Sequence, residues 1–556
     1  MPNKPLSDYP NPQFQRKSYL CLNGEWDYKI TQREGIPSSW DGKILVPFSP
    51  ESPLSGVNHI LQPGENLFYR LIFKLEDDFI DEKVILHFLG VDQIAEIYIN
   101  GHLIKEHIGG FLPFEVDIKP YLEETNSLIV KVKDFTDKSY HSRGKQKLKH
   151  GGIWYTPQSG IYLPVYLEAI PYIHIDSVKI TPDIDKEEVI VNVRSNSDEC
   201  IVYFQDEEIH IPTNEDVNLD VRDMRLWSPE DPYLYQIKFK VKNDEISSYF
   251  GMRKFSIVKD ENNIPRLALN NKPLFMKGVL DQGYYQQGLL TPPSYEDYIK
   301  DIELVKSLGF NMIRKHIKIE IPRWYYECDK RGVIVWQDFV NGGNKYKFPT
   351  IAFPLIFGIH HKDNHYGMFS RRNKEGREEA INEFKQTINY LYNFPCIALW
   401  TVFNEGWGQF DSKKIVNELK TIDSSRLYDH ASGWHDQGIG DLKSMHVYFK
   451  RVKLPKKENR CIILSEFGGL VLPIEGHVVE GNSVYKKFSS KEDYLNAYQE
   501  MIELDVLSNI PKGLSATVYT QLSDVEEETN GFVTYDREVV KIEPSKFKEI
   551  NDKIHL

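Results

Sequence analysis

The chain has 556 residues, of which 41% are hydrophobic, and a formal net charge of −13. A chain of this length can form several domains, each with a core of its own. The acidic charge balance argues against nucleic acid or an anionic membrane surface as a partner.

The N-terminus and the cysteines bear on the compartment. The first residues are polar and rich in proline, so they lack the apolar core of a signal peptide, and the sequence has no run of about eighteen apolar residues. The five cysteines are widely scattered without a C-x-x-C pair, which fits neither a disulfide framework nor a zinc site. We therefore expect a cytoplasmic protein whose cysteines are small buried hydrophobes.

Residues 1–171 have the pattern of an antiparallel β-sandwich. Short runs of alternating apolar and polar residues, such as 68–74 and 84–88, are separated by turn signals such as Asn100-Gly101. This pattern predicts a jelly-roll module.

Residues 172–258 contain a second set of short strands. Their number fits a small seven-stranded sandwich of the immunoglobulin type. Pro229 and Pro232 lie in a segment between two of the strands and mark it as a loop that cannot join a ladder. The module has no cluster of reactive side chains, so we interpret it as a spacer.

Residues 259–556 alternate between strand and helix patterns. Ser294 with Asp297 resembles a capping box, and Gly309 a helix stop. Eight strand-helix units in about 300 residues predict a (β/α)₈ barrel. A long insertion, 341–377, is interpreted as a lid or specificity loop. The predicted strands are 275–281, 311–316, 333–338, 397–405, 427–432, 444–448, 461–466 and 514–521.

Two of these strands end in a glutamate followed by glycine. Glu405 follows an apolar run, and Glu466 follows another. A glutamate at a strand end is more often a cap or an ion-pair partner than a catalyst. In a barrel, however, both would lie at the C-terminal face, where active sites form. Paired carboxylates are what cleavage of a glycosidic bond requires, and Trp407, Trp434 and Tyr448 are residue types that stack on sugar rings.

The other strand ends are also polar. Each of these residues has a structural interpretation beside the functional one: Arg314 would neutralise a buried acid, the histidines would be satisfied core residues, and Asp338 would be a cap. Their density at one face favours substrate contact. The predicted substrate-binding residues at strand ends are Asp281, Arg314, His316, Asp338, His446, Tyr448 and Gln521.

Two rival functions remain open at this point. A carbohydrate-binding protein with an inactive barrel is opposed by the presence of both glutamates. A metal-dependent hydrolase needs a cluster of ligands, and the sequence offers His360, His361, Asp363 and His365. That cluster lies in the insertion rather than at strand ends, so we predict no metal and no cofactor.

Six segments, spread over nearly the whole chain, carry a resemblance to a known family. They are Ser-Gly-Ile-Tyr-Leu-Pro-Val at 159–165, Arg-Leu-Trp-Ser-Pro at 225–229, Phe-Gly-Met-Arg at 250–253, Asn-Met-Ile-Arg-Lys-His at 311–316, Phe-Asn-Glu at 403–405 and Ser-Glu-Phe-Gly-Gly at 465–469. With these segments the chain resembles glycoside hydrolase family 2, the family of β-galactosidase, β-glucuronidase and β-mannosidase. The resemblance implies that Glu405 is the acid/base, that Glu466 is the nucleophile and that Asn404 binds the sugar 2-hydroxyl, with Arg314 and Tyr448 beside the nucleophile. It implies a retaining, exo-acting β-glycosidase with a glycoside or oligosaccharide as its substrate.

The chemistry of the residues agrees with these implied roles. A nucleophile must stay ionised, which Arg314 and the Tyr448 hydroxyl would favour at Glu466. A drier site flanked by Phe403 and Trp407 would raise the pKa of Glu405, so that it keeps its proton.

The sequence also departs from the family pattern. Gln282 stands where well-known members carry a histidine, and the chain ends soon after its eighth barrel unit. In the large β-galactosidases, additional C-terminal domains contact neighbouring subunits. The oligomeric state of those enzymes therefore cannot be transferred to this protein, and a homo-oligomer stays possible.

Specificity rests on two loops. Trp154 lies in a loop that reaches the barrel mouth in relatives, and it either stacks on substrate or fills the seam between domains. β-Glucuronidases carry an Asn-x-Lys sequence in the eighth unit, where Glu528 and Asn530 stand here, and Glu526 and Glu527 would add repulsion against a sugar carboxylate.

We therefore predict a neutral sugar, with a β-galactoside preferred on family frequency. The alternatives are β-glucuronidase, β-mannosidase and arabinopyranosidase activity. A cation from the insertion, namely Lys345, Lys347 or Arg371, would favour the first of them.

Overall fold

A computed structural model of the protein describes residues 4–479 and 485–556. Its first part is a β-sandwich of a six-stranded and a four-stranded sheet. Trp26 and Leu67 from the larger sheet and Leu86 and Val165 from the smaller one meet in one buried core. In sheet order the six strands are Gly42–Val46, Gly24–Thr31, Asn66–Phe73, Asn126–Lys133, Ile94–Ile99 and His102–Ile108, and the four are Leu20–Cys21, Val165–Ile170, Lys83–Phe88 and Phe114–Asp117.

Short elements complete this sandwich. A two-stranded ladder joins Val91–Asp92 to Gly160–Ile161. Single turns of 3₁₀ helix lie in its loops, at Pro53–Ser55, Asp77–Phe79, Lys119–Tyr121 and Thr136–Lys138.

The second sandwich has seven strands in two antiparallel sheets, as an immunoglobulin-like domain requires. Pro229 and Pro232 lie outside both sheets, which agrees with the loop predicted there. One sheet contains Ile175–Asp183, Glu188–Ser195 and Asp216–Asp220, and the other contains Glu207–Pro212, Glu199–Phe204, Tyr235–Val241 and Asp244–Phe250.

A parallel barrel follows a small sheet of Phe255–Lys259, Pro265–Leu269 and Lys272–Pro273. All eight predicted strands are present, and the first pairs with both the second and the eighth. The fifth and sixth strands are the two ends of this eight-stranded ladder and do not pair with each other. At the gap between them, the hydroxyl oxygens of Ser432 and Ser444 lie 3.4 Å apart. The barrel is therefore nearly closed. In chain order its strands are Met276–Asp281, Met312–Lys315, Ile334–Asp338, Ile397–Thr401, Leu427–Asp429, Leu442–Val447, Cys461–Gly468 and Leu514–Thr520.

The helices agree only in part with eight strand-helix units. Ser294 and Asp297 form the predicted capping box. The fully described segments 430–441 and 448–460 contain no helix, so the prediction was wrong for the fifth and sixth units. The insertion, in contrast, carries a helix. The α-helices are Tyr295–Ser307, Pro322–Arg331, Phe348–Phe357, Lys374–Leu391, Ser412–Leu419, Lys491–Met501 and Pro544–Asn551, and the sixth continues as a π-turn, Ile502–Val506, and a 3₁₀ turn, Leu507–Lys512.

Within the described ranges, none of the helices combines the length and the apolar composition needed to cross a membrane.

Candidate active site

Glu405 and Glu466 lie together at the C-terminal end of the barrel. Glu405 comes just after the fourth strand, and Glu466 lies within the seventh. One oxygen of each carboxylate and a ring nitrogen of His446 lie within 4.8 Å of one another. The two glutamates are only 8% and 5% exposed. The structure thus brings the two acids together, as the sequence predicts.

The turn after the fourth strand fixes the direction of Glu405. Its backbone N–H donates to the carbonyl of Ser432, 3.0 Å away, and its φ of +50° lies in the left-handed region that side chains other than glycine seldom adopt. Gly406 follows with a φ of +73°, and a Cβ there would lie 2.5 Å from the ring of His435. The glycine that follows Glu405 in sequence is therefore required for the turn.

Glu466 is held by two donors. Its Oε1 accepts from Nη1 of Arg314 at 3.1 Å, and its Oε2 accepts from the Tyr448 hydroxyl at 2.6 Å. The Tyr448 oxygen also lies 2.9 Å from Oγ1 of Thr520. Arg314 and Tyr448 therefore both contact the carboxylate that they were predicted to stabilise.

His446 lies between the two acids. Its Nδ1 is 2.9 Å from Oε1 of Glu405 and 3.5 Å from Oε2 of Glu466, and its Nε2 is 2.9 Å from the Ser432 hydroxyl. The edge of the Trp434 ring faces it, with the ring centroids 6.3 Å apart. Trp434, His446 and Tyr448 line one cleft of about 640 Å³.

The environments of the two acids push their pKa values apart. Burial raises the pKa of Glu405 above its usual value, although the hydrogen bond with His446 opposes the rise, and the nearby Glu466 adds to it. Burial also acts to raise the pKa of Glu466, but His446, Arg314 and the Tyr448 hydroxyl together bring it below its usual value. Such a divergence is the signature of one proton donor beside one ionised carboxylate.

Arg314 organises the polar side chains beneath the acids. It is fully buried and donates in a fork to both oxygens of Asp338, at 3.0 and 2.9 Å. Its Nη2 also donates to Oδ1 of Asn404 at 2.8 Å. This bond fixes the amide of Asn404, whose buried Nδ2 donates to no group that the structure describes.

His316 is oriented by a row of amides. Its Nδ1 lies 2.8 Å from Oε1 of Gln282, whose Nε2 donates to Oε1 of Gln521 at 2.8 Å. Gln521 in turn donates to Oδ1 of Asn530 at 2.9 Å. Because an amide oxygen accepts, the Nδ1 atom of His316 carries the proton, and its Nε2 faces Oε1 of Glu466 at 3.6 Å.

Asp281 is the predicted contact that the structure does not bring into this cluster. Paired residues of neighbouring parallel strands point to the same face, and Asp281 pairs with Lys315, the neighbour of Arg314. Since Arg314 points into the barrel, both point outward. Asp281 binds the Lys315 ammonium and accepts from the backbone N–H of Gly283 at 2.8 Å.

A loop of the first sandwich, 140–156, forms one side of the barrel mouth. The backbone N–H groups of Arg143 and Gly144 donate to the carbonyl of Asn341, at 3.0 and 3.2 Å. Three consecutive acids after the eighth strand bind the same loop. Their contacts are Thr156 N–H to Glu526 at 2.8 Å, Gly152 N–H to Glu527 at 3.0 Å and the Tyr155 hydroxyl to Glu528.

Trp154 lies at the tip of this loop among aromatic rings of the barrel. Its centroid is 5.0 Å from that of Trp407 and 5.7 Å from that of Tyr346. Trp407 continues the wall to the ring of His316, 6.5 Å away. The half-buried Trp154 therefore reaches the mouth and also packs in the seam between domains.

Lys145 is a residue that the sequence analysis missed. It is 7% exposed, and its Nζ lies 3.2 Å from the Tyr155 hydroxyl and 3.6 Å from Oε2 of Glu528. Its charge helps to lower the pKa of Glu405 and of Glu466. No local pattern marks this lysine, because its charged partner, Glu528, comes from another module.

The cations predicted as alternatives in the insertion lie elsewhere. Lys345 and Lys347 are exposed. Arg371 is buried and donates to the backbone carbonyls of Gly408 and Gly376, at 2.9 and 3.2 Å.

The histidine cluster weighed as a metal site serves to pack the insertion. Nδ1 of His360 accepts from the backbone N–H of His435 at 2.9 Å, and Oδ2 of Asp363 accepts from the N–H of Ser412 at 3.0 Å. Among the described residues, a group outside the two strand-end acids that could hold a cation is His477, Asp536 and Glu538.

Comparison with known protein families covers most of the chain. Three family models match successive parts of it: "Glycosyl hydrolases family 2, sugar binding domain" over residues 53–171, "Glycosyl hydrolases family 2" over 173–253 and "Glycosyl hydrolases family 2, TIM barrel domain" over 258–541.

Individual relatives are distant. A β-galactosidase of Halalkalibacterium halodurans is 25% identical over 404 residues, covering 68% of this chain and 37% of its own length. A putative β-glucuronidase of Formosa agariphila is 25% identical over 438 residues, covering 69% and 48%. This chain thus spans less than half the length of either relative.

One solved structure shows the same fold over almost the full chain. It is a β-D-glucuronidase of Dictyoglomus thermophilum, with a TM-score of 0.75 and 18% sequence identity. The match covers 98% of this chain and 99% of the glucuronidase chain. Because the barrel model by itself matches half of the sequence and the other two models flank it in order, the protein belongs to glycoside hydrolase family 2.

Proposed function

We propose that the protein is a retaining, exo-acting β-glycosidase that removes a terminal neutral sugar, with a β-galactoside as the expected substrate. The observation that carries the proposal is the buried pair Glu405 and Glu466, with oxygens within 4.8 Å. Retaining glycosidases hold their carboxyl groups about 5 Å apart, whereas inverting ones leave roughly 6.5–9.5 Å for a water.

In the first step Glu466 is the nucleophile. Its carboxylate forms a bond to the anomeric carbon while the bond to the glycosidic oxygen breaks, and the proton of Glu405 passes to that oxygen. Arg314 and Tyr448 support this role by holding Glu466 ionised. The raised pKa of Glu405 supports its role as the proton donor.

In the second step Glu405, now ionised, is the base. It accepts a proton from a water whose oxygen bonds to the anomeric carbon, and the ester bond to Glu466 breaks. Two displacements on opposite faces leave the anomeric configuration unchanged.

Groups with unused hydrogen-bonding capacity would bind the sugar. The Nδ2 of Asn404 is available as a donor to the 2-hydroxyl, and the Nε2 of His316 as an acceptor from a ring hydroxyl. Trp154, half-buried and packed on Trp407, offers an apolar ring at the mouth. The loop 140–156 of the first sandwich forms one side of the barrel mouth. A mouth bounded in this way favours exo-acting cleavage, in which a terminal sugar is removed.

Two alternative functions, a non-catalytic sugar-binding protein and a uronidase, each differ from this proposal in one structural feature. A non-catalytic sugar-binding protein would have no need to push the pKa values of two neighbouring acids apart. A uronidase is favoured by the buried ammonium of Lys145 and by the names of several relatives, but Glu528 balances that charge.

The first prediction assigns the two acids separately. Glu466→Ala and Glu405→Ala should each lower kcat by several orders of magnitude, because each removes a group that reacts. Azide should restore activity of both on substrates with good leaving groups. Glu466→Ala should give a glycosyl azide of inverted configuration and Glu405→Ala one of retained configuration, as read by NMR. Near-native activity of Glu466→Ala would refute the assignment.

The second prediction concerns pH. The profile of kcat/KM should be bell-shaped, with activity lost below the pKa of Glu466 and above that of Glu405. The Tyr448 hydroxyl stabilises ionised Glu466, so Tyr448→Phe should raise that pKa and move the acidic limb to higher pH. The alkaline limb, set by Glu405, should stay in place. An unmoved acidic limb in a folded variant would contradict this account.

The third prediction separates the two interpretations of Trp154. If its ring stacks on the substrate, Trp154→Ala should raise KM about ten- to hundredfold, the effect of losing a contact worth ~1.5–3 kcal/mol. Trp154→Phe should recover most of the loss. Unchanged kinetics with a lowered melting temperature would instead show that the ring only packs against Trp407 and Tyr346.

The fourth prediction concerns substrate charge. The value of kcat/KM should be about a hundredfold or more higher for nitrophenyl β-galactoside than for nitrophenyl β-glucuronide, because a carboxylate left unpaired in a buried pocket costs ~3 kcal/mol. A preference for the glucuronide would refute the neutral-sugar proposal while leaving the retaining mechanism intact.

A further inference from the structure

Lys145 and Glu528 come from different modules and meet at the barrel mouth. Lys145 lies on the loop of the first sandwich, and Glu528 lies in the turn after the eighth strand. The Nζ to Oε2 distance is 3.6 Å, and both side chains are 7% exposed. Tyr155 joins them, since its hydroxyl donates to Glu528 and accepts from Lys145 at 3.2 Å.

The loop holds Lys145 and Tyr155 side by side. The backbone N–H of Tyr155 donates to the carbonyl of Lys145 at 3.0 Å, and the N–H of Lys147 donates to the carbonyl of Tyr155 at 3.2 Å. The ammonium also lies 4.8 Å from the centroid of the Tyr155 ring. The position of the positive charge is therefore fixed by the backbone rather than by the ion pair alone.

Glu528 differs from the two acids before it. Glu526 and Glu527 accept from backbone N–H groups of the loop, at 2.8 and 3.0 Å, and so act as a clamp. Glu528 accepts from the side chain of Tyr155 and faces the side chain of Lys145. Its role is thus separable from docking of the loop.

The pair lies beside the candidate site. Trp154, next to Tyr155 in the loop, packs against Trp407 with ring centroids 5.0 Å apart, and the Trp407 centroid is 6.5 Å from that of His316. At this position the charge of Lys145 also acts on Glu405 and Glu466. On the other side, Asn530 follows Glu528 closely in sequence and begins the row of amides that ends at His316. The Nδ2 of Asn530 is fully buried and has no partner among the described residues.

We propose that Lys145 and Glu528 form an inter-domain charge filter for the sugar. The ammonium is the cation that a carboxylate substituent of the sugar would seek, and Glu528 cancels it. A neutral sugar keeps both partners, with the remaining N–H groups of Lys145 as donors and the second oxygen of Glu528 as an acceptor for hydroxyl groups. A hexuronate would compete with Glu528 and be repelled by it. This inference rests on the proposed neutral-sugar specificity and names the residues that set it.

The test compares substrates that differ only at C6, nitrophenyl β-galactoside and nitrophenyl β-galacturonide. In Glu528→Gln the ratio of kcat/KM for the galacturonide to that for the galactoside should rise at least tenfold, because the ammonium becomes available. In Lys145→Met the ratio should fall below that of the unmodified enzyme, because Glu528 is left unbalanced. The double variant should lose the gain of Glu528→Gln.

Two variants serve as matched controls. Glu527→Gln removes a neighbouring charge and a loop contact, and Tyr155→Phe removes the hydroxyl bridge without changing charge. Neither should raise the ratio as Glu528→Gln does. If Glu527→Gln and Glu528→Gln shift the ratio equally, the pair is only a clamp and the proposal falls. If Glu528→Gln does not fold, Lys145→Met decides, since an unchanged ratio there also overturns the proposal.

Binding measurements separate this inference from the proposed function. Dissociation constants for galactose and galacturonate, measured by calorimetry in the same variants, require no turnover. A shift towards galacturonate in Glu528→Gln without hydrolysis of either glycoside would support the filter and refute the activity. Hydrolysis of the galactoside with an unshifted preference in both measurements would support the activity and refute the filter.

Discussion

The buried guanidinium of Arg314 is the interaction on which the candidate site depends. Its five N–H donors are all used, on Asp338, Asn404, Glu466 and the carbonyl of Ser465. The one guanidinium therefore pairs with two carboxylates, orients the amide proposed to bind the sugar and anchors the backbone beside the proposed nucleophile. A lysine could not replace it, because a single ammonium cannot make a planar fork to Asp338 while also reaching the other three groups. Both acids are buried, so removing the guanidinium would take two donors from Asp338 and one of the two donors from Glu466, which would destabilise their ionised forms.

Much of this arrangement could be predicted from the sequence, because the barrel converts strand order into spatial neighbourhood. Glu405 and Glu466 were predicted to meet on that ground alone, and they do. Whether each side chain points into the barrel or away from it was harder to predict. Arg314, His316 and Asp338 point inward and Lys315 and Asp281 outward because residues alternate along a strand. Which residues of a strand face inward depends on its register with the neighbouring parallel strands, and the order of strands along the chain does not give that register. The sequence therefore could not show that Asp281, at the end of the first barrel strand, faces outward while Asp338, at the end of the third, faces inward.

Connections between elements were the least predictable part. The segments 430–441 and 448–460 were expected to contain the helices of the fifth and sixth strand-helix units. Both are loops without a helix. The acids at 526–528 were interpreted as sources of repulsion, whereas Glu526 and Glu527 bind backbone N–H groups of the first sandwich. Tyr155 and Glu528 are 373 residues apart, and no periodicity within either segment reveals a contact of this kind. The family resemblance placed the loop of Trp154 at the barrel mouth, but only the assembled domains show which residues hold it there.

The division of charge at that mouth follows from this assembly. Arg314 is committed to the acids beneath the site, and Lys145, another buried cation, reaches the mouth only because the loop of another domain carries it there. Its field assists the ionisation of Glu466 but also opposes protonation of Glu405, whose raised pKa results mainly from burial. An unbalanced ammonium would therefore lower the pKa of Glu405, which has to stay protonated for acid catalysis. Under the proposed mechanism, Glu528 limits this effect by holding the charge in a local pair. The ion pair that selects against a charged sugar would thus also protect the proton of Glu405.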